Sequence, residues 1–245
     1  MNNVIKSEFK KLWWLKSSRL LWLLVVGIAT FFSVSISFTN SYEFSGQDTI
    51  VLGFVNSVAV LILYIIIFAA IFISLEFSSN TIRNYISSGV KRRDIYIGKF
   101  VVFSTGSIVL VLLHTLIVIS IITLLKGWGN KFSIEEFLNS FVQIIVYLLI
   151  YLVISSVILV LSILVRSISG AMACNIGYLA LISMVQVFFN QDNKLSIVGL
   201  LSMGQLMQVQ GIVTMEQAIF IITCCIIKIV LLNIFGMQIF DKCEV

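Results

Sequence analysis

IVLGFVNSVAVLILYIIIFAAIFISL, residues 50–75, runs for 26 residues without a charge. As a helix it rises about 39 Å at 1.5 Å per residue, more than the roughly 30 Å of a bilayer's hydrocarbon core. In lipid, backbone N–H and C=O groups must pair within the segment or around a closed barrel. The run lacks the strict apolar–polar alternation of barrel strands, so it reads as a helix. Moving outward, five further stretches are long and apolar enough to cross a bilayer, near Leu20–Phe38, Phe100–Leu125, Ser140–Val165, Gly170–Phe189 and Gln217–Phe240. The expectation is an all-α polytopic membrane protein with six transmembrane helices, forming one domain over residues 1–245. Hydrophobic residues are 60% of the chain, charged residues 11%, and mean hydropathy is +1.11, outside the range of soluble domains. No proline occurs, so any bend must come from glycine, serine or a local widening of the helix.

The polar segment that follows, LEFSSNTIRNYISSGVKRRDIYIGKF at residues 75–100, stands between two apolar runs. Ser78, Ser79 and Asn80 are good N-cap residues, Thr81–Ser87 can make two helical turns, and Gly89 is placed to end them in a left-handed conformation. Ile82, Tyr85 and Ile86 stand at i, i+3 and i+4 and form one apolar face. That face reads as a knob presented to a cytosolic partner, the plainer alternative being a basic connector with only a topogenic role. Lys91, Arg92 and Arg93 return the chain to a negatively charged inner surface.

Lys and Arg are distributed unevenly about the spans. With a cytosolic N-terminus, the inner segments hold twelve of the sixteen (Lys6, Lys10, Lys11, Lys16, Arg19, Arg83, Lys91, Arg92, Arg93, Lys99, Arg166, Lys242) and the outer loops three (Lys126, Lys131, Lys194). Both termini and the 76–98 loop are therefore expected in the cytosol. The basic residues form no aromatic-interleaved face, which argues against a nucleic-acid partner. In residues 1–19, Ile5, Phe9, Leu12 and Trp13 share a helix face with Lys6 and Lys10 away from it. This predicts an amphipathic helix lying on the inner leaflet, with Trp13 and Trp14 at headgroup depth; the alternative is a disordered basic tail. Its length and the spans that follow argue against a cleaved signal.

Chemistry-bearing motifs are few. Cys174, Cys224, Cys225 and Cys243 have no metal-ligand spacing, and phosphate-loop, zinc-protease and serine-elbow motifs are missing. His114 is the single histidine, and no aspartate stands within a span. Catalysis by this chain alone is not expected. Lys228 lies near the middle of the last apolar run and His114 deep in the third, where a charge is costly without polar surroundings. Gln143, Tyr147, Tyr151 and Ser155 recur every four residues. These groups could line a substrate cleft, or the stripe could form hydrogen bonds between helices of one subunit. Ser169, Ala173 and Gly177 make a small-residue ladder suited to close helix packing. Residues 191–215 read either as a re-entrant element on the outer side or as a surface-lying helix.

Glu76, Thr81-Ile82-Arg83, Gly89, Arg92-Arg93, Ile95-Tyr96 and Lys99 together resemble the loop between the second and third spans of ABC-2 type transport permeases. Asn80 departs from that pattern, in which many members carry glycine before the threonine. The resemblance implies that Glu76, Thr81, Ile82, Arg83, Tyr85, Ile86, Arg92 and Arg93 belong to a cytosolic coupling helix that docks on a separate ATPase. Glu76 is then expected to pair with a basic group of that subunit or with Arg83. It further implies two permease chains, identical or related, working with two ATPase chains. ATP and Mg would be bound by the ATPase, and no cofactor by this chain. Within the family the sequence is similar to the Gram-positive peptide group, which includes bacitracin and lantibiotic self-protection permeases and phenol-soluble modulin exporters. An amphipathic peptide as cargo and the plasma membrane as location follow from that likeness. Two readings of other classes stand beside it, a small secondary transporter or channel and a membrane immunity or scaffold protein that transports nothing.

Overall fold

A computed structural model of the chain describes residues 2–39, 46–79, 81–127, 134–189 and 215–242, and every regular element among them is helical. Helix α1, Asn2–Trp14, leads into α2, Lys16–Thr39. Backbone bonds from Leu15 N–H to Lys11 O (3.0 Å) and from Arg19 N–H to Leu15 O (3.3 Å) carry across the junction, so the chain bends there without breaking.

The second apolar run bends through the local widening expected of a proline-free helix. It comprises α3, Gly46–Val51, a π-helical turn at Leu52–Asn56, α4, Val58–Ala69, a second π turn at Ala70–Ser74, and α5, Leu75–Ser78. Such turns need outside partners for displaced backbone groups. The first finds one in Tyr151, whose hydroxyl donates to Phe54 O at 2.5 Å. A short helix α6, Thr81–Ser87, follows. It ends as expected at Gly89, φ +83°, with Gly89 N–H bonded to Ile86 O and Val90 N–H to Tyr85 O, the double bond of a Schellman cap. Asn80, proposed as a cap, lies outside the described residues.

Helix α7, Arg92–Lys126, has 35 residues and a rise of about 52 Å. It therefore outruns the hydrocarbon core, and α1 lies along the excess at the Arg92 end. A Cβ at Gly98 would stand 3.1 Å from Val4, and one at Gly106 3.4 Å from Leu12. Both chains advance by eight residues between these contacts, so α1 runs parallel to α7 for about 12 Å. The helix expected at the N-terminus is thus present and packs along α7. This packing splits the expected apolar face. Ile5 and Leu12 pack on the core, whereas Phe9 and Trp13 stay exposed with Trp14.

Helix α8, Ile134–Val165, turns sharply into α9, Ile168–Phe189, through Arg166 at φ +56°, and α10 runs from Met215 to Lys242. Among the described residues, five spans are long and apolar enough to cross a membrane: Lys16–Phe38, Val58–Ser78, Arg92–Lys126, Asn139–Val165 and Glu216–Lys242. Helix α9 offers a shorter apolar stretch, Ile168–Met184, among the described residues. Of the expected outer element at 191–215, all but Met215 lies outside them, as does Cys243.

The core gathers between α4, α7 and α8. Phe68 stacks on Phe103 at 5.2 Å and on Phe72 at 5.5 Å, close to Gly106, where a side chain would meet the Phe68 ring at 2.7 Å. Helix α10 closes on α7 at Gly236, which leaves room for Tyr96; the Tyr96 hydroxyl donates to Asn233 Oδ1 at 3.1 Å.

Candidate functional site

Phe68, Phe72 and Glu76 recur every four residues and are all buried. An ideal helix would let such a repeat drift by about 40° at each step; the wider π turn at Ala70–Ser74 counters that drift and holds Glu76 inward. Leu75 correspondingly turns out and is 41% exposed. The Glu76 carboxylate accepts from two ammonium groups, Lys99 of α7 through Oε2 and Lys11 of α1 through Oε1. Glu8, one helical turn before Lys11, brings its carboxylate to 3.7 Å from Lys99 Nζ, an ion pair rather than a hydrogen bond.

Two acids and two bases thus meet where α1, α5 and α7 converge, and Glu8 and Lys99 have no solvent exposure. Burial raises the Glu8 carboxyl above its ordinary value of 4.5, against the pull of Lys99, and Glu76 reinforces the rise. Burial alone would lower Lys11, but the charge and hydrogen bond of Glu76, with Glu8, outweigh it and raise that ammonium. Aromatic faces complete the shell. Lys99 Nζ lies 5.5 Å from the Phe72 ring centre and Lys11 Nζ 5.8 Å from that of Tyr85.

Through Tyr85 the cluster touches α6. Ile82 is fully buried, and Tyr85 and Ile86 are half-buried against the same core. The apolar face of this helix is therefore turned to its own chain, correcting the reading that presents it to a partner; the physical reason is that packing on the adjacent core removes the face from water. What α6 and its flanks expose is polar and basic: Arg83, Asn84, Ser87, Ser88, Lys91 and Arg93. Thr81 is half-buried, with its hydroxyl 2.8 Å from Ser79 Oγ. Arg92 donates to Asp241 O at 3.0 Å, placing a cation at the C-terminal end of α10. Glu76 pairs with Lys11 and Lys99, not with Arg83, and it is too buried to meet another subunit directly.

The residues weighed as a cleft are mostly interior to the protomer. Gln143, Tyr147, Tyr151 and Ser155 are buried; Gln143 Nε2 donates to Tyr147 Oη at 3.1 Å, and Tyr147 stacks on Phe54 at 4.9 Å. The stripe binds α8 to the first π turn, the interhelical role. His114 is buried between Tyr64, whose hydroxyl lies 3.4 Å from Nδ1, and Phe32, with ring centres 6.2 Å apart. Lys228 is half-buried on α10. Ser169, Ala173 and Gly177 are exposed on α9.

The sequence does not point to Glu8 and Lys11 as site residues, and Lys99 enters it only as part of the resemblance to the family loop. A signal was present, because Glu8 is the single acidic residue before Glu43 and sits among five basic ones. Its partner is 91 positions away, and only the packing of α1 on α7 joins them. Among the described residues no group of three or more His, Cys, Asp or Glu is placed to hold a metal.

The family model described as ABC-2 family transporter protein matches residues 4–183, which covers α1 through most of α9 and the whole charged cluster. No curated protein matches the chain.

Proposed function

This chain belongs to the ABC-2 transporter family, the membrane permease component of an ABC transporter, and from that premise we propose that it exports amphipathic peptides, with α6 as the coupling element to a separate ATPase. The observation that carries the coupling is the seating of α6. Its buried Ile82 and its contact through Tyr85 with Lys11 make it part of the core, while its outer surface offers Arg83, Asn84 and Ser87 to a partner. A push on that surface reaches Glu76, and through Lys99 and Lys11 both α7 and α1.

The proposed assembly has two permease copies and two ATPase copies, six spans per permease with α9 as the fifth, and cytosolic termini, in a Gram-positive plasma membrane. The paired permeases are taken as a homodimer. The cargo reading rests on surface chemistry. A basic, tryptophan-bearing inner surface suits a molecule that already partitions into the bilayer and enters sideways. Lys228, on a helix whose neighbouring Ile226, Ile227, Val230 and Leu231 are exposed, is retained as a cleft residue between permease copies. His114 and the Gln143, Tyr147 and Tyr151 stripe then act as its internal support.

The test is copurification of the tagged permease with an ABC ATPase from its native membranes, followed by hydrolysis in liposomes with and without a membrane-active peptide. Peptide-stimulated hydrolysis that Arg83→Glu abolishes is expected. Hydrolysis indifferent to several such peptides would remove the cargo reading, and failure to copurify would remove the coupling.

A further inference from the structure

Between α1, α2 and α7 lies an open cavity of about 510 Å³, walled by Leu12, Trp22, Leu23, Val26 and Leu113 and rimmed by Trp13 and Arg19. It is outside the charged cluster and shares with it the helices α1 and α7, but no residue. Arg19 stands one turn into the first span, and Val26 is about 10 Å further along α2 by helical rise. Leu113 stands about 20 Å from Lys126, the far end of α7, so it lies at a matching depth. The groove therefore runs from the interface into the hydrocarbon, apolar along its length and cationic at its mouth.

The charge at that mouth has one sign. Arg19 is exposed, and its guanidinium has no hydrogen-bond or ion-pair partner among the described residues. Lys16 is exposed one turn earlier on the same helix, and Lys6 and Lys10 are exposed on α1. The single acid of this region, Glu8, is buried away from the groove at the α7 contact. A guanidinium is suited to bidentate pairing with a phosphate, and tryptophan to headgroup depth.

We propose that this groove is a binding site for an anionic phospholipid of the inner leaflet, with Arg19 on the headgroup phosphate and an acyl chain along Trp22, Leu23, Val26 and Leu113. The occupant pins the bend at Leu15 between α1 and α2, and so touches the helix that carries Glu8 and Lys11.

The test measures lipid retained by the purified full-length permease after exchange into detergent with equimolar phosphatidylglycerol and phosphatidylcholine, read by native mass spectrometry. Wild type should retain phosphatidylglycerol about fivefold over phosphatidylcholine, the ratio equivalent to about 1 kcal/mol per basic residue at an anionic surface. Arg19→Gln should bring the ratio near one while leaving the melting temperature unchanged. Leu23→Trp, at an exposed wall position, should lower total retention by filling the groove, and Lys10→Gln, away from it, should change neither quantity. Equal retention of both lipids by wild type would overturn the proposal. So would equal losses from Lys10→Gln and Arg19→Gln, which would mean diffuse surface attraction, or retention unaffected by Leu23→Trp.

Discussion

Lys99 is a fully buried ammonium in a predominantly apolar protein, and its tolerance depends chiefly on the hydrogen-bonded Glu76 carboxylate, with Glu8 farther off at 3.7 Å. Removing one member of a buried pair leaves the other uncompensated, at a cost of about 3–5 kcal/mol. Glu76→Ala should accordingly destabilise the permease by that order, read as a lower melting temperature in detergent. Lys99→Met should also destabilise it. The double variant should lose less than the sum of the two, because neighbours in one network are not additive. Strict additivity would mean that the two groups do not interact. Glu8 behaves differently, since its folded-state carboxyl is raised by burial. A raised acid opposes folding once pH exceeds its unfolded value of about 4.5, and the opposition grows until pH passes the folded value. Glu8→Gln should therefore raise the melting temperature relative to wild type near neutral pH, with the gain shrinking as pH falls toward 4.5. A gain independent of pH would show that desolvated charge is not the cause.

At the scale of the element, α6 separates two kinds of substitution. Ile82→Ala removes a fully buried side chain and should cost about 2–4 kcal/mol of permease stability, lowering the melting temperature even without the ATPase. Arg83→Glu alters an exposed residue and should leave that temperature within a degree or two while releasing the ATPase on copurification. The reverse pattern would mean that α6 presents its apolar face outward. How far these elements could be read in advance varies with the range of the forces involved. The apolar runs, the absence of proline kinks and the Gly89 cap follow from local periodicity and from a φ of +83° that glycine adopts freely. The inward turn of Ile82 was not legible, because an apolar helix face has the same pattern whether it meets a partner or its own core. The packing of α1 on α7 is hidden for a related reason. Ile5, Phe9, Leu12 and Trp13 form a plausible lipid face, and only the Gly98 and Gly106 contacts with α7 reveal that Ile5 and Leu12 are packed. Glu76, by contrast, was picked out as a site residue but given the wrong partner, since nothing local links it to Lys99.

For the whole molecule, the proposal is that the permease receives work at α6 and passes it through Glu76 to α1 and α7. In the proposed topology, which rests on the twelve-to-three distribution of Lys and Arg, α6 is cytosolic. In a variant whose four native cysteines are replaced, a cysteine at Ser88 should resist an impermeant thiol reagent in intact cells, and one at Asn130 should react; labelling of Ser88 from outside would invert the topology. The most direct measurement of the central claim is peptide-stimulated ATP hydrolysis by the reconstituted permease–ATPase complex, comparing wild type with Glu76→Gln under conditions where both remain folded and assembled. Glu76→Gln should keep the ATPase bound and basal hydrolysis intact but lose most of the stimulation. Full stimulation in an assembled Glu76→Gln complex would contradict it.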